Sequence, residues 1–215
     1  LARLLASLAP RPLTTCFRAT GGSEAVDLAL QAGMVHTGPR AFLSLEGSYH
    51  GNTLAGLSIG ATDNREQIKN LLPHCGKIAP PLDAKALGRI EQRLKRRDVA
   101  AFVMEPISIN LGVLIPEKEI IQRVRDLCRR YGTLLIADEV ACGFGRTGRV
   151  FACEHFDQDP DMLCVAKAMS GGLAPIGAVI ATAPIAKSME ENEGTFYSTY
   201  GWHPRSVAAA IATLR

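Results

Sequence analysis

Five apolar runs, each too short for a helix and too continuous for an alternating strand, constrain this chain more than any other feature. They are "AFLSL" (41–45), "VAAFVMEPI" (99–107), "TLLIADEV" (133–140), "MLCVA" (162–166) and "PIGAVIAT" (175–182). A strand apolar on both faces belongs to a sheet covered on both sides. Segments of helical spacing lie between them. "DAKALGRIEQRLKRRD" (83–98) is one; "PEKEIIQRVRDLCRRYG" (116–132) is another, with Pro116 as start signal and Gly132 as stop. Strand alternating with helix predicts an α/β three-layer fold, a mostly parallel central sheet with helices on both faces. No repeat or low-complexity linker interrupts it, so residues 1–215 read as one domain.

Composition narrows the class. With 47% hydrophobic residues, 215 positions can build a sizeable core. The net charge of +3 balances 24 basic against 21 acidic residues, and the densest basic run, "RLKRRD", sits where a helix should end. That is a solvated helix terminus, so no nucleic-acid partner is expected. The six cysteines show no CxxC or Cys/His spacing, which favours reduced thiols and a cytoplasmic setting. "LARLLASLAP" reads as a short amphipathic helix rather than a signal peptide, and no stretch is long enough to span a membrane.

In open α/β sheets ligands gather at the carboxyl ends of the strands. Three of the apolar runs deliver an ionisable residue there: Glu105, Asp138 and Lys167. Burying a lysine at an apolar strand end is costly unless the site uses it. The two-residue strand period puts Asp138 and Val140 on one face and Glu139 on the other. A carboxylate beside a branched apolar side chain suits a flat heteroaromatic ligand with a basic ring nitrogen. Upstream, "ATGGSEAVDLALQAG" runs a loop into a helix, whose free N–H groups form an anion site near Gly22 and Ser23. "EGSYHG" places Tyr49 and His50 in a turn, where an aromatic could stack on the ring's second face.

Lysine, ring-nitrogen carboxylate, phosphate cradle and stacking aromatic together describe a site for pyridoxal 5'-phosphate. The motifs "TGGSEAVD", "GSYHGNT", "MEPI", "LLIADEVACGFGRTG", "CVAKAMSGG" and "STYGWHP" occur in the order of the class-III (omega-type) aminotransferases. The chain resembles that family from about Thr20 to Pro204, and specifically its large cofactor-binding domain of fold type I. The resemblance implies that Lys167 forms the imine with the cofactor aldehyde and that Asp138 holds the pyridine nitrogen. Val140 and Tyr49 would sandwich the ring, with His50 behind them. Gly22 and Ser23 would bind phosphate, joined by Thr199, which in this family reaches across from the other subunit of a homodimer. Glu105 would sit near the substrate pocket and the Asp138 network. The implied reaction moves an amino group from an amine or amino acid to a 2-oxo acid.

Three departures from the family pattern stand out. Ala141 replaces a glutamine that many members place against the cofactor's phenolic oxygen. "EPISINLG" lacks the usual glycine-rich continuation, and Trp202 and His203 replace a more common Gly-Asn pair. Family chains also carry flanking segments that build a small domain, whereas this chain begins just before the phosphate loop and stops in a helix. Two other readings use the same residues: an aminomutase of the glutamate-semialdehyde type, and a non-catalytic core fragment or paralogue. "GFGRTG" (143–148) satisfies G-x-G-x-x-G, but "RVFACEHFDQDPD" after it is no amphipathic helix, so a nicotinamide site is not expected.

Overall fold

A computed structural model describes residues 1–38, 41–60, 68, 70–192 and 196–215. Its centre is a seven-stranded sheet of order β1-β7-β6-β5-β4-β2-β3. The strands are β1 (Leu13–Ala19), β2 (Ala41–Leu45), β3 (Cys75–Ile78), β4 (Val99–Met104), β5 (Leu134–Asp138), β6 (Met162–Val165) and β7 (Gly177–Thr182). From β3 to β6 every pairing is parallel, while β7 runs antiparallel to both β6 and β1. All five apolar runs are strands, and "AFLSL" matches β2 residue for residue. The run ending in "MEPI" stops at Met104, before the proline that would interrupt the ladder.

Two strands lie outside the runs. β1 carries a partly exposed pattern, and β3 has four residues, only the last of them buried; both are sheet edges. The direction of β7 has a physical cause. Only residues 166–176 separate it from β6, too few for the helical crossover a parallel return needs.

Helices α1 (Ala2–Leu8), α2 (Gly22–Thr37), α3 (Leu54–Ile59), α4 (Ala84–Leu94), α5 (Lys118–Tyr131), α6 (Ala183–Glu191) and α7 (Pro204–Leu214) complete the layers. One face of the sheet packs against α2, α3 and α6 through Val26, Ile59 and Ile185. The other meets α4 and α5 through Ile90 and Val124, and α1 and α7 through Leu5 and Ala210. In α4, Ala86, Ile90 and Leu94 form one buried stripe, and the Asp83 carboxylate accepts the Ala86 N–H at 2.8 Å as its cap. The helix stops at Leu94, so the basic run beyond it is its solvated end. α5 buries Ile121, Val124 and Cys128 and ends on Gly132 at φ 72°, the left-handed conformation glycine adopts freely. None of the described helices is long and apolar enough to cross a membrane.

Candidate active site

The carboxyl ends of β4, β5 and β6 and the amino end of α2 surround a cavity of about 380 Å³. Glu105, Asp138 and Lys167 all line it, as do Gly22, Ser23, Tyr49, His50 and Val140. Eight of the nine residues singled out from the sequence therefore converge on one space. The ninth, Thr199, is exposed and lies outside this chain's cavity.

Asp138 ends β5 at 3% exposure, with both carboxylate oxygens engaged. Oδ2 lies 2.8 Å from His50 Nδ1, and Oδ1 accepts the Val140 N–H at 3.0 Å. Those contacts fix the carboxylate on the cavity wall. His50 is as buried as Asp138, and its Nε2 has no partner among the described residues.

Glu139 shows why the strand period matters. Fully buried on the opposite face, it accepts the Ala152 and Cys153 N–H groups at 3.0 and 2.7 Å and the Cys142 thiol at 3.2 Å. Burial pushes its carboxyl upward, opposed by those donors. It ties the turn after β5 to residues 152–156 and leaves Asp138 and Val140 to face the cavity. The "GFGRTG" segment is followed by a short 3-10 turn, Ala152–Phe156, so it presents no α-helix amino end.

The α2 terminus is shaped for a close approach. Gly22 opens the helix, and a Cβ there would sit 2.6 Å from Val140 Cγ1. Ser23 Oγ accepts the Asn52 N–H at 3.2 Å, tying α2 to the turn that carries Tyr49 and His50. Gly51 in that turn has φ 107°, and a Cβ on it would lie 2.6 Å from Ser23 Oγ.

Lys167 differs from its expectation in one respect. The sequence predicts a buried ammonium at a strand end; the side chain is exposed. β6 ends at Val165, and Lys167 opens a 3-10 turn with φ 41°, which swings it off the sheet into the cavity mouth. Glu105 follows β4 at 2% exposure. Burial first, and the Asp138 charge second, push its carboxyl up to about 7, against the Ile109 N–H and the Lys167 ammonium. Sequence reasoning placed Glu105 here but could not give it a contact.

Asn110 also lines the cavity and was not singled out from the sequence. It sits on a short 3-10 turn, Ile109–Leu111, that no periodicity marks. Trp202 and His203 are away from the cavity. Trp202 Nε1 donates to Gly177 O at 2.9 Å, pinning its loop to β7, and His203 Nδ1 accepts the Arg205 N–H at the start of α7.

The family description "Aminotransferase class-III" matches residues 1–215, the full chain. The chain belongs to the class-III aminotransferases. It is 40% identical over 220 aligned positions to a putrescine aminotransferase of Pectobacterium atrosepticum, covering all of this chain and 47% of that one. A taurine:2-oxoglutarate aminotransferase from Bifidobacterium kashiwanohense, solved with PLP and glutamate, superposes with a TM-score of 0.94 at 29% identity. That match covers 99% of this chain and 52% of the other. A transaminase from the marine bacterium Virgibacillus gives 0.91 at 30% identity, with the same coverage. The chain thus spans about half the length of these class-III relatives.

Proposed function

We propose that the protein containing this chain is a pyridoxal-phosphate-dependent aminotransferase, moving an amino group from a primary amine to a 2-oxo acid. One observation carries the reading: a single cavity holds an exposed lysine, a doubly engaged carboxylate and a helix amino end. Those groups match the aldehyde, the ring nitrogen and the phosphate of the cofactor. The glycine cradle supports the fit, because a methyl group at position 22 would fill the space beside Val140.

Bound pyridoxal phosphate supplies an electron-withdrawing ring that stabilises negative charge on the substrate carbon. The protein does the rest. Lys167 would hold the cofactor at its aldehyde, and its amine is the group that would move a proton at the reacting carbon. Asp138 keeps a proton on the ring nitrogen; at ~4 Å and an effective dielectric near 20 such a pair gains ~4 kcal/mol. The His50 Nδ1–H orients that carboxylate. Backbone N–H groups at Gly22 and Ser23 take the phosphate, and Val140 and Tyr49 pack on the two ring faces.

The putrescine aminotransferase relative supports a donor amine at the end of an aliphatic chain. A cytoplasmic homodimer is the working form in this reading. In this reading residues 1–215 form the cofactor-binding large domain of the protein that contains them. The test is direct. Full-length protein reconstituted with pyridoxal phosphate should bleach its yellow absorbance when given putrescine and recover it with a 2-oxo acid, releasing the new amino acid. Lys167→Ala should leave no borohydride-fixed cofactor. A product that is a rearranged form of the donor, made without any acceptor, would show an aminomutase instead.

A further inference from the structure

That assignment leaves one buried polar atom without a role. Glu105 lines the cavity at 2% exposure, and its Oε1 has no hydrogen-bond partner among the described residues. Its Oε2 accepts only a long bond, 3.4 Å, from the Ile109 N–H. A buried oxygen left unpaired is unfavourable unless something else meets it.

The contrast with Asp138 is chemical. Asp138 has a partner on each of its oxygens. Glu105 has one weak donor and faces the Asp138 charge across a buried wall. Its carboxyl is pushed up to about 7, by burial and then by Asp138, while the Ile109 N–H and the Lys167 ammonium pull the other way. The other titratable residues lining the cavity are His50, committed to Asp138 through Nδ1, and Tyr49, which is exposed. Burial thus biases the Glu105 carboxyl toward its protonated form.

What such an acid could meet follows by elimination, resting on the pyridoxal phosphate reading. The cofactor has four polar positions: ring nitrogen, phosphate arm, aldehyde and phenolic oxygen. Asp138, the α2 terminus and Lys167 account for the first three. The phenolic oxygen flanks the aldehyde on the side away from the phosphate arm and accepts hydrogen bonds. Ala141, on the same cavity wall, offers it only a methyl group. Asn110 is a rival donor, but it is exposed at the rim.

We propose that Glu105, as a neutral acid, donates the hydrogen bond to the cofactor's phenolic oxygen, the contact that Ala141 cannot make. An O–H facing that oxygen holds the ring in register; a carboxylate in its place would repel it. Cofactor affinity then depends on the Glu105 proton.

The test uses full-length protein titrated with pyridoxal phosphate, from about one unit below the Glu105 titration to about one unit above it. Both the dissociation constant and the absorption maximum of the bound chromophore are read. Wild-type affinity should decline with rising pH relative to Glu105→Gln, whose amide N–H donates at every pH. Glu105→Ala should bind about tenfold more weakly at the acid end and shift the absorption maximum. Asn110→Ala should keep the wild-type pH dependence. Wild type and Glu105→Gln tracking each other at all pH values would overturn the proposal. So would tight binding with an unshifted maximum in Glu105→Ala, or the Glu105→Ala behaviour reproduced by Asn110→Ala. A wild-type protein that takes up no cofactor at any pH overturns the functional reading itself, and this proposal with it.

Discussion

Asp138 and Glu139 are neighbours in the chain and do opposite work because the end of β5 turns them to opposite faces. This division was legible, since the two-residue period of a strand needs no tertiary information. The exposure of Lys167 was not. An apolar run predicts a buried end, but the left-handed φ at Lys167 is set by how the 3-10 turn packs, which no local pattern encodes. Asp138→Asn should retain cofactor binding and lose turnover by roughly a hundredfold or more, measured as kcat against dissociation constant. Unchanged kcat would remove the ring-nitrogen argument. Glu105 yields a separate expectation in the cofactor-free protein. Its carboxyl lies above the ordinary 4.5, at about 7, so the protonated form is the one folding favours. That stabilisation is complete below 4.5 and disappears as pH rises through about 7. Urea unfolding should show wild type losing up to ~3 kcal/mol relative to Glu105→Gln across that window. Parallel curves would mean that Glu105 titrates as an exposed glutamate does.

Among the elements, α2 joins fold to chemistry. Its body packs on the sheet through Val26, Leu28 and Ala29, and its first turn forms the corner assigned to phosphate. The Thr53 hydroxyl donates to Asp27 at 2.7 Å and accepts the Gly56 N–H, so α3 and the Tyr49 turn are referenced to the same helix. Gly22→Ala should therefore weaken cofactor binding more than it weakens the fold. Its methyl group meets the side chain of Val140, which must move off the ring face. A tenfold or greater rise in the dissociation constant, with a loss of about 1 kcal/mol or less in unfolding free energy, is expected. Equal binding would place the phosphate elsewhere. The elements the sequence missed share a cause. β1 and β3 are edges, where one side of the ladder is unpaired and continuous apolarity is not required. The antiparallel direction of β7 was present in the sequence as a connection length, residues 166–176, rather than as a property of the strand.

For the whole molecule, the informative residue is the one that does not join its own cavity. Thr199 is exposed on a loop pinned to β7 by the Trp202–Gly177 hydrogen bond, while Lys167 and Asp138 line the cavity of the same chain. The proposed homodimer places Thr199 of one protomer on the phosphate held by the other. In a two-fold dimer that exchange is reciprocal, so each site takes its lysine from one chain and its threonine from the next. Complementation separates this from a self-contained site. Thr199→Ala removes a hydrogen bond to a charged group, a loss of roughly tenfold in affinity, and Lys167→Ala removes the covalent link. When the two variants are unfolded together, refolded and assayed at limiting cofactor, half the dimers are mixed. If Thr199 acts across the interface, each mixed dimer has one site carrying both lesions and one carrying neither. Covalent loading should then return to about a quarter of wild type, well above either parent alone. If Thr199 serves its own chain, every site in the mixture carries a lesion. Loading then stays at the mean of the two parents, and the shared phosphate site is wrong.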